Sequence, residues 1–346
     1  MKAAVLEDLE RLVVKEVPTP EPDAESVLVR VHACAVCGSD VRIFHHGNPR
    51  VKPPQTPGHE IAGEIVAVGE NVQGFAAGQR VAVGADVPCG VCEFCRAGIG
   101  NNCQINYAIG YQFPGGFAEY VLLNETTVKY GPVHRIPGDL SYDEACLAEP
   151  LGCCLNGLEL TPVPVGGTIL IFGAGPAGIM MARLAWHLGA AKVLLAQRSR
   201  RRAEQASELG AGEVICTQDE DVKERIMAET DGLGVHVAVT ACPSPEAQME
   251  ALALVRNRGL VNFFGGLPRG TPPLSVDSNR IHYKELLVTG SHGCVPRHHK
   301  AALDLIAAGS VKVDDLITHH FPLDEVLAAF RAAEDRAGLK VIVNPL

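Results

Sequence analysis

The sequence is poor in aromatic residues and in positive charge, and it has no long apolar run. Aromatic residues make up 5% of the 346 residues, and one is tryptophan. The formal net charge is −10 at pH 7, which argues against nucleic-acid binding because a duplex-binding surface needs clustered positive charge. No apolar run reaches the roughly 20 residues that a membrane-spanning helix needs. We therefore expect neither nucleic-acid nor membrane partners.

The start of the chain also lacks the basic segment, apolar core and small-residue cleavage site of a secretory signal peptide. We therefore expect a cytoplasmic protein. Hydrophobic residues amount to 47%, which excludes a disordered chain and favours one large or two medium-sized domains. In a reducing compartment the 12 cysteines indicate metal ligands where they cluster and small buried residues where they are scattered.

The hydrophobic pattern changes near residue 165. Residues 1–150 are rich in glycine, proline and short β-like runs, which predicts an irregular antiparallel domain. From 168 to about 290, apolar strands alternate with helical stretches, which predicts βαβ units and a parallel sheet covered by helices on both faces. Two further helices, at 296–308 and 323–333, and a strand at 340–343 are expected to return to the first domain.

A glycine-rich loop opens the predicted parallel sheet. The segment Gly173-Ala174-Gly175-Pro176-Ala177-Gly178 follows the apolar strand 169–172 and precedes a helical stretch. In such a loop the first glycine permits a tight turn, the second lets the backbone approach a pyrophosphate, and the third lets helix and strand pack closely. In this context Gly173, Gly175, Pro176, Ala177 and Gly178 predict a dinucleotide site.

The end of the second strand bears on the choice of dinucleotide. NAD sites usually place a carboxylate there for the ribose hydroxyls, whereas this chain reads Gln197-Arg198-Ser199-Arg200-Arg201-Arg202. Guanidinium groups bind a 2′-phosphate, so NADP is favoured, with Arg198 and Ser199 as first candidates and Arg200 and Arg202 behind them. Gln197 could still serve NAD, and the arginines could simply begin a solvated helix.

Cys89, Cys92, Cys95 and Cys103 are spaced so that a short loop can wrap one tetrahedral ion. Because all four ligands are sulfur, no position stays open for water or substrate, so the sequence predicts a structural zinc. A second set is dispersed along the chain and comprises Cys37, His59, Glu60 and Glu149. Together they supply the thiolate, imidazole and carboxylate ligands of an open, catalytic zinc.

These motifs resemble the zinc-dependent medium-chain dehydrogenase/reductase superfamily, the zinc alcohol dehydrogenases. The resemblance is carried by Cys37-Gly38-Ser39-Asp40, Gly58-His59-Glu60 with Gly63, Gly69 and Val72, the four-cysteine segment, Glu149-Pro150-Leu151 and the glycine loop, all in family order. It covers essentially the whole chain and is closest to the sorbitol/polyol and threonine dehydrogenase branch. It implies a Rossmann doubly wound parallel sheet domain at 153–292 and a β-rich GroES-like catalytic domain at 1–152 and 293–346.

The resemblance also implies roles for single residues. Cys37 and His59 match the invariant zinc ligands, and either Glu60 or Glu149 supplies the carboxylate. Asp40 matches a partner that holds the His59 ring, with a helix cap as its alternative. Ser39 matches the hydroxyl that takes the substrate proton and passes it through the cofactor ribose.

Two departures from the family pattern stand out. Many relatives have a histidine three residues after the serine, where this chain has Arg42, which cannot act as a terminal base. His45, His46 or water is left to take that role. Polyol dehydrogenases carry an Arg-Tyr pair where this chain has Gly293-Cys294, so a hexitol substrate is disfavoured. Candidates to line the pocket are Phe44, Tyr111, His292 and Arg297.

The sequence therefore predicts a zinc-dependent oxidoreductase with two zinc ions per chain and an active site between its domains. It would oxidise a secondary alcohol of a polyol, sugar, cyclitol or amino sugar reversibly to a ketone, with hydride transfer to NADP or NAD. The alternatives are a threonine-type 3-dehydrogenase, an NADPH-dependent aldehyde reductase, and a non-catalytic NADP(H)-binding redox sensor. By resemblance we expect a homodimer or homotetramer.

Overall fold

The computed structural model describes all 346 residues, which divide into two compact units. Unit 1 comprises Met1–Cys153 and Gly293–Leu346, and unit 2 comprises Cys154–His292. The sequence prediction placed the first boundary one residue earlier, after residue 152, and the second at the same point, after His292.

The chain forms 17 strands. In chain order they are β1 (Lys2–Asp8), β2 (Arg11–Glu16), β3 (Val27–Ala35), β4 (Glu60–Val68), β5 (Arg80–Val83), β6 (Asp86–Val87), β7 (Tyr107–Ala108), β8 (Tyr120–Leu123), β9 (Val133–Arg135), β10 (Thr168–Phe172), β11 (Lys192–Gln197), β12 (Glu213–Cys216), β13 (Val235–Thr240), β14 (Val255–Phe263), β15 (Leu287–Gly290), β16 (Ile317–Pro322) and β17 (Lys340–Asn344).

Twelve α-helices accompany these strands. They are α1 (Gly38–His46), α2 (Glu93–Arg96), α3 (Glu125–Tyr130), α4 (Tyr142–Ala145), α5 (Ala148–Leu160), α6 (Pro176–His187), α7 (Arg200–Glu208), α8 (Val222–Glu229), α9 (Pro245–Leu254), α10 (Ser278–Lys284), α11 (Pro296–Ala307) and α12 (Val326–Glu334). None of these helices combines the length and the apolar character that a membrane span requires.

Unit 2 is built on a six-stranded sheet in the order β12-β11-β10-β13-β14-β15. All five strand pairings are parallel. The strands are nearly continuous apolar runs, as parallel strands are when neither face meets water; β10, for example, is buried over four of its five residues. Counted from β10, the order is 3-2-1-4-5-6, the doubly wound arrangement whose order reverses beside β10.

A local cap sets the start of α9. The helix begins at Pro245 and ends at Leu254, and β14 starts at Val255. Pro245 occupies the first helical turn, where its missing N–H costs nothing. The Ser244 side chain caps the helix by accepting a 3.2 Å hydrogen bond from the Ala247 N–H, which fixes the first turn.

Unit 1 contains a sheet in the order β16-β17-β3-β4-β5-β9, with β8 also paired to β3. β3 pairs antiparallel with β17, β4 and β8, so the C-terminal strand is part of the same sheet as the N-terminal strands. A buried apolar cluster that includes Val29, Ile61, Phe117 and Val341 packs on this sheet. The predicted fold class, a parallel α/β sheet domain with an irregular β-rich domain, is confirmed.

Candidate functional site

The sheet of unit 1 brings together two of the motifs that the sequence singled out. Cys37 follows β3 and occupies the N-cap position of α1, while His59 immediately precedes β4. Ala35 and Glu60 are direct partners in the β3–β4 ladder. Cys37 and His59, which are 22 positions apart in the chain, are thereby placed at one end of the same strand pair.

Three ligand-type side chains meet at that end. One donor atom each of Cys37, His59 and Glu60 lies within 4.8 Å of the other two. Asp40 Oδ1 is 3.2 Å from His59 Nδ1, and Asp40 Oδ2 accepts a 2.9 Å hydrogen bond from the Cys37 N–H. The Ser39 hydroxyl lies 3.4 Å from His59 Nε2. A ring held by a carboxylate at one nitrogen is typical of a metal-binding histidine.

This cluster is buried and strongly electrostatic. Asp40, His59 and Glu60 are 1%, 4% and 0% exposed. Burial lowers the pKa of the His59 imidazole, but Asp40 and Cys37 outweigh it and hold that pKa well above its usual value. The surroundings of the ring therefore favour a positive charge at this position.

Glu149 lies in the first turn of α5 and is also buried. It does not belong to the three-residue group in which all donor atoms are within 4.8 Å. Burial raises its pKa to about 7, with Glu60 and Asp86 acting in the same direction and His59 acting against them. Of the two carboxylates left open by the sequence, the structure groups Glu60 with Cys37 and His59 and keeps Glu149 as a near neighbour.

One residue at this cluster had no signal in the sequence analysis. Lys340, the first residue of β17, donates from Nζ to Glu60 Oε2 although it is 280 positions away in the chain. Lys340 is 5% exposed, so this is a buried ion pair. A lysine at the start of an apolar strand could have suggested a buried charge, but nothing in the sequence indicates its partner.

The four-cysteine segment forms a second cluster. The sulfur–sulfur distances are 3.8 Å for Cys89–Cys95, 3.4 Å for Cys92–Cys95 and 3.9 Å for Cys92–Cys103, and all four thiols are free of disulfides. A tetrahedral zinc with bonds of about 2.3 Å requires ligand separations of about 3.8 Å. Backbone N–H groups of Gln104 and Cys95 lower the pKa of Cys92 to about 6, whereas burial and the neighbouring Cys92 raise that of Cys95 to about 12, so without a metal the four thiols do not all ionise together.

Both clusters therefore fit zinc on their own geometry. The four sulfurs match a closed structural site. The second cluster offers sulfur, nitrogen and oxygen, and Glu60 Oε1 is a buried acceptor without a hydrogen-bond partner. A buried carboxylate oxygen left in this state carries a desolvation cost that a bound cation would offset.

The glycine loop of unit 2 has the backbone geometry expected of a phosphate-binding turn. Gly173 has a φ of +104° and a Cβ at Gly178 would come within 1.9 Å of the Gly173 carbonyl oxygen, so neither position tolerates a side chain. A Cβ at Gly175 would meet no protein atom within 4 Å, which leaves room beside the loop. Gly175 caps α6, whose first residue is Pro176, and Ala177 follows in the first turn, where backbone N–H groups favour an anion.

The residues after β11 differ in their availability for a phosphate. Gln197 Oε1 accepts a 2.9 Å hydrogen bond from the Ala174 N–H, so the amide holds the glycine loop. Arg200 is paired with Asp219, and Arg202 is buried on α7, where it donates to Gln205. Arg198 and Ser199 are exposed at the end of the strand.

The structure also separates the candidates for proton transfer. His45 Nδ1 is 2.8 Å from Glu10 and its Nε2 is 3.1 Å from Glu334, so both ring nitrogens are engaged away from the cluster. Tyr111, named only as a lining candidate, has a pKa raised by burial, with His59 and Ser39 acting in the opposite direction. Its ring meets His59 edge-on with 5.9 Å between centroids.

The other lining candidates have ordinary structural contacts. Phe44 packs edge-on against Phe330, 5.9 Å between ring centroids. The His292 carbonyl accepts a hydrogen bond from Asn156. At the position of the missing Arg-Tyr pair, the Cys294 N–H donates a 2.9 Å hydrogen bond to Asp86.

Comparison with known proteins agrees with this chemistry. Residues 23–133 match the family described as "Alcohol dehydrogenase GroES-like domain", and residues 176–308 match "Zinc-binding dehydrogenase". The sorbitol dehydrogenase of Bacillus subtilis is 33% identical, over 100% of this chain and 97% of its own length. The L-threonine 3-dehydrogenase of Pyrococcus abyssi is 35% identical, over 88% of this chain and 87% of its own.

Among solved structures, a zinc-binding dehydrogenase of Sinorhizobium meliloti bound to NADP superimposes with a TM-score of 0.92, at 34% identity and 99% coverage of both chains. The chain belongs to the zinc-dependent medium-chain dehydrogenase/reductase family, the zinc alcohol dehydrogenases. It is an oxidoreductase that depends on zinc and on NAD(P).

Proposed function

We propose that this protein oxidises a secondary alcohol on a polyol, sugar, cyclitol or amino sugar reversibly to the ketone, with NADP as the preferred cofactor. The observation that carries the proposal is the buried group of Cys37, His59 and Glu60 with the Ser39 hydroxyl at its edge. Cys37 and His59 would hold the catalytic zinc, and Glu60, with Glu149 nearby, would complete its protein ligands.

The chain's own residues have distinct tasks in this reaction. Asp40 keeps the His59 ring in place through Nδ1, since the two atoms are 3.2 Å apart. Ser39 would take the proton from the substrate hydroxyl and pass its own proton to the cofactor ribose, because a serine both donates and accepts. Tyr111, whose ring meets that of His59 edge-on, would line the pocket at this point. A bound zinc ion would make the alcohol more acidic, and NAD(P) would supply the hydride acceptor.

The proposed preference for NADP rests on the end of β11. No carboxylate stands there to repel a 2′-phosphate, and Arg198 and Ser199 are exposed beside the position where it would bind. Arg200 and Arg202 support the proposal less, because both are already engaged within unit 2. A ratio of kcat/KM for NADP⁺ over NAD⁺ above one supports the preference, and a ratio below one contradicts it.

Two rival functions remain. A threonine-type 3-dehydrogenase, which would act on a β-hydroxy amino acid, is kept because the relatives include L-threonine 3-dehydrogenases as well as sorbitol dehydrogenases. The second rival is an aldehyde reductase that would work mainly with NADPH. The replacement of the Arg-Tyr pair by Gly293-Cys294 favours substrates other than linear hexitols.

The test is a set of initial rates with both cofactors. The panel contains sorbitol, xylitol, myo-inositol, glucosamine, 2,3-butanediol, L-threonine and, with NADPH, small aldehydes. Highest kcat/KM for L-threonine or for an aldehyde would replace the proposed substrate class. A protein that binds NADP(H) but turns over none of these compounds, and holds one zinc per chain, would instead fit a non-catalytic sensor.

We also propose that the protein forms homodimers through the edge of the unit 2 sheet. β15 is the last strand in that sheet, and Leu287 and Val288 are 65% and 37% exposed on it. Nearby in the chain, Tyr283 is 77% exposed. An unprotected apolar edge strand favours pairing with another strand. Light scattering of wild type and Leu287→Lys tests this, since a dimer of wild type and a monomer of the variant are expected.

A further inference from the structure

Lys340 is buried next to the proposed catalytic zinc site, where a lysine is unusual. Its side chain is 5% exposed and that of its partner Glu60 is 0% exposed. Lysine is almost never fully buried unless it is paired, because removing the ammonium from water is costly. Lys340 therefore needs the ion pair with Glu60 once β17, the C-terminal strand, is packed into the sheet.

The sheet explains why Lys340 reaches this position. β3 lies between β17 and β4, and Ala35, at the end of β3, pairs with Ile342 on one side and with Glu60 on the other. The Val36 N–H continues the contact by donating a 2.9 Å hydrogen bond to the Val341 carbonyl. The next residue is Cys37. One strand end thus brings Lys340, Glu60 and Cys37 together.

The two oxygens of Glu60 are in different states. Oε2 accepts from Lys340 Nζ, whereas Oε1 is buried without a hydrogen-bond partner. The carboxylate is therefore held by one oxygen and presents the other. Without Lys340, both oxygens would be available to a cation at the Cys37–His59–Glu60 group.

We propose that Lys340 is a positioning residue that restricts Glu60 to a single metal-binding oxygen and weakens the hold of this site on zinc. This inference rests on the proposed function, since it takes Glu60 as a ligand. Two physical effects act in the same direction. The ammonium withholds Oε2, and its positive charge opposes that of the metal a short distance away. The result is a zinc that keeps a position open for exchange with water and substrate, as catalysis requires.

The experiment measures zinc release rather than turnover. Purified zinc-loaded protein is mixed with an excess of a chelator, and the loss of zinc is followed with a chromogenic indicator. The four-cysteine zinc serves as an internal reference, and Cys37→Ser identifies which phase belongs to it. Zinc content of the wild type is measured first, and fewer than two ions per chain would contradict the proposed function itself.

Lys340→Met is expected to slow release of the catalytic zinc by about tenfold, because one like charge is removed and a second ligand oxygen is freed. Release of the four-cysteine zinc should not change. Lys340→Arg, which keeps both charge and donor, should stay within about threefold of wild type. Lys340→Gln, a milder change that retains a hydrogen-bond donor, takes the place of the methionine variant if that variant does not fold.

A double variant separates positioning from general stability. If Lys340 acts partly through Glu60, the methionine substitution should slow zinc release clearly less in a Glu60→Gln background than in the wild type, because only the direct repulsion between the ammonium and the metal is then left to remove. Equal or faster release from Lys340→Met than from wild type overturns the proposal. So does a change of the same size in both backgrounds, because that would show an effect independent of Glu60.

Discussion

The two zinc-type clusters of unit 1 are built in opposite ways. The four cysteines lie within fifteen consecutive positions of the chain, and their sulfurs come together within that one segment. Cys37, His59, Glu60 and Lys340 come from three separate segments and meet only because β3, β4 and β17 lie side by side. The comparison teaches that a closed, all-sulfur site can be local, whereas an open, mixed site needs the sheet to bring unlike donors together.

The sharpest way to test this contrast is to remove one sulfur from each cluster. Cys37→Ser should lower kcat by about a thousandfold or more while the fold and NADP binding persist, because the proposed ligand lies in the reacting centre. Cys92→Ser should instead lower the melting temperature and leave the kcat of the folded fraction close to wild type. Zinc analysis, thermal unfolding and steady-state rates check both variants. Wild-type turnover by Cys37→Ser would refute the catalytic assignment.

A second test addresses the support behind the dispersed site. Asp40→Asn removes the charge that faces His59 Nδ1 at 3.2 Å with little change in size. We expect the affinity for the catalytic zinc to fall about 10- to 100-fold, as it does when carboxylates behind ligating histidines are changed. Chelator competition measures this, and the four-cysteine zinc is the control. Equal affinity in the variant and wild type would mean that Asp40 only caps α1.

A third test concerns the proposed cofactor site of unit 2, which is also local because it consists of the glycine loop and the end of β11. Arg198→Ala should lower the NADP⁺ over NAD⁺ ratio of kcat/KM by about 10- to 100-fold, the value of one or two hydrogen bonds to a charged group. Arg200→Ala is the matched control, because that guanidinium is already paired with Asp219. An equal or larger fall of this ratio in Arg200→Ala would contradict the assignment of Arg198 as the residue that binds the 2′-phosphate.

The smallest effect is expected at His45, which the structure sets apart from both clusters. A hydrogen bond that His45 donates to Glu10, with further support from Glu334, raises the pKa of this half-buried imidazole, whereas burial acts in the opposite direction. A raised pKa in the folded state stabilises the protein fully below about pH 6.5, and the gain is lost as pH rises through the raised value.

His45→Gln should therefore destabilise the protein more at about pH 5.5 than at about pH 9, and melting temperatures at the two pH values measure this. The loss of unfolding free energy should be no more than about 1 kcal/mol. The activity of the variant should stay near that of wild type, since both ring nitrogens are engaged by Glu10 and Glu334. A large loss of kcat together with a changed pH profile would show that His45 takes part in proton transfer.

Much of the architecture could be predicted from local signals. The apolar strand before Gly173 and the glycine spacing predicted a parallel sheet and a dinucleotide loop, and the structure has both. The start of α9 is likewise set by a local signal, the Ser244 cap followed by Pro245. Glycine turns and caps act over four or five residues, so they can be found in the sequence once their chemistry is considered.

The dispersed site could be predicted only in part. Its members were proposed from their residue types, and the resemblance to a family gave each of them a role; spacing alone did not connect Cys37 with Glu149. The structure groups Glu60, at the end of the β3–β4 pair, with Cys37 and His59, and its assignment as the zinc ligand in place of Glu149 stays a prediction. Lys340 was missed because ion pairs between residues 280 positions apart leave no periodic pattern.

The sequence by itself determined the four-cysteine site and the glycine turn for phosphate, because each is formed by residues close together in the chain. The order of these motifs along the chain also indicated a zinc dehydrogenase. Strand pairing across the whole chain decided the rest: it brought Glu60 together with Cys37 and His59, and it brought Lys340 from the last strand to Glu60 Oε2. Such contacts depend on register between distant strands, and register is fixed by burial of whole faces of the sheet.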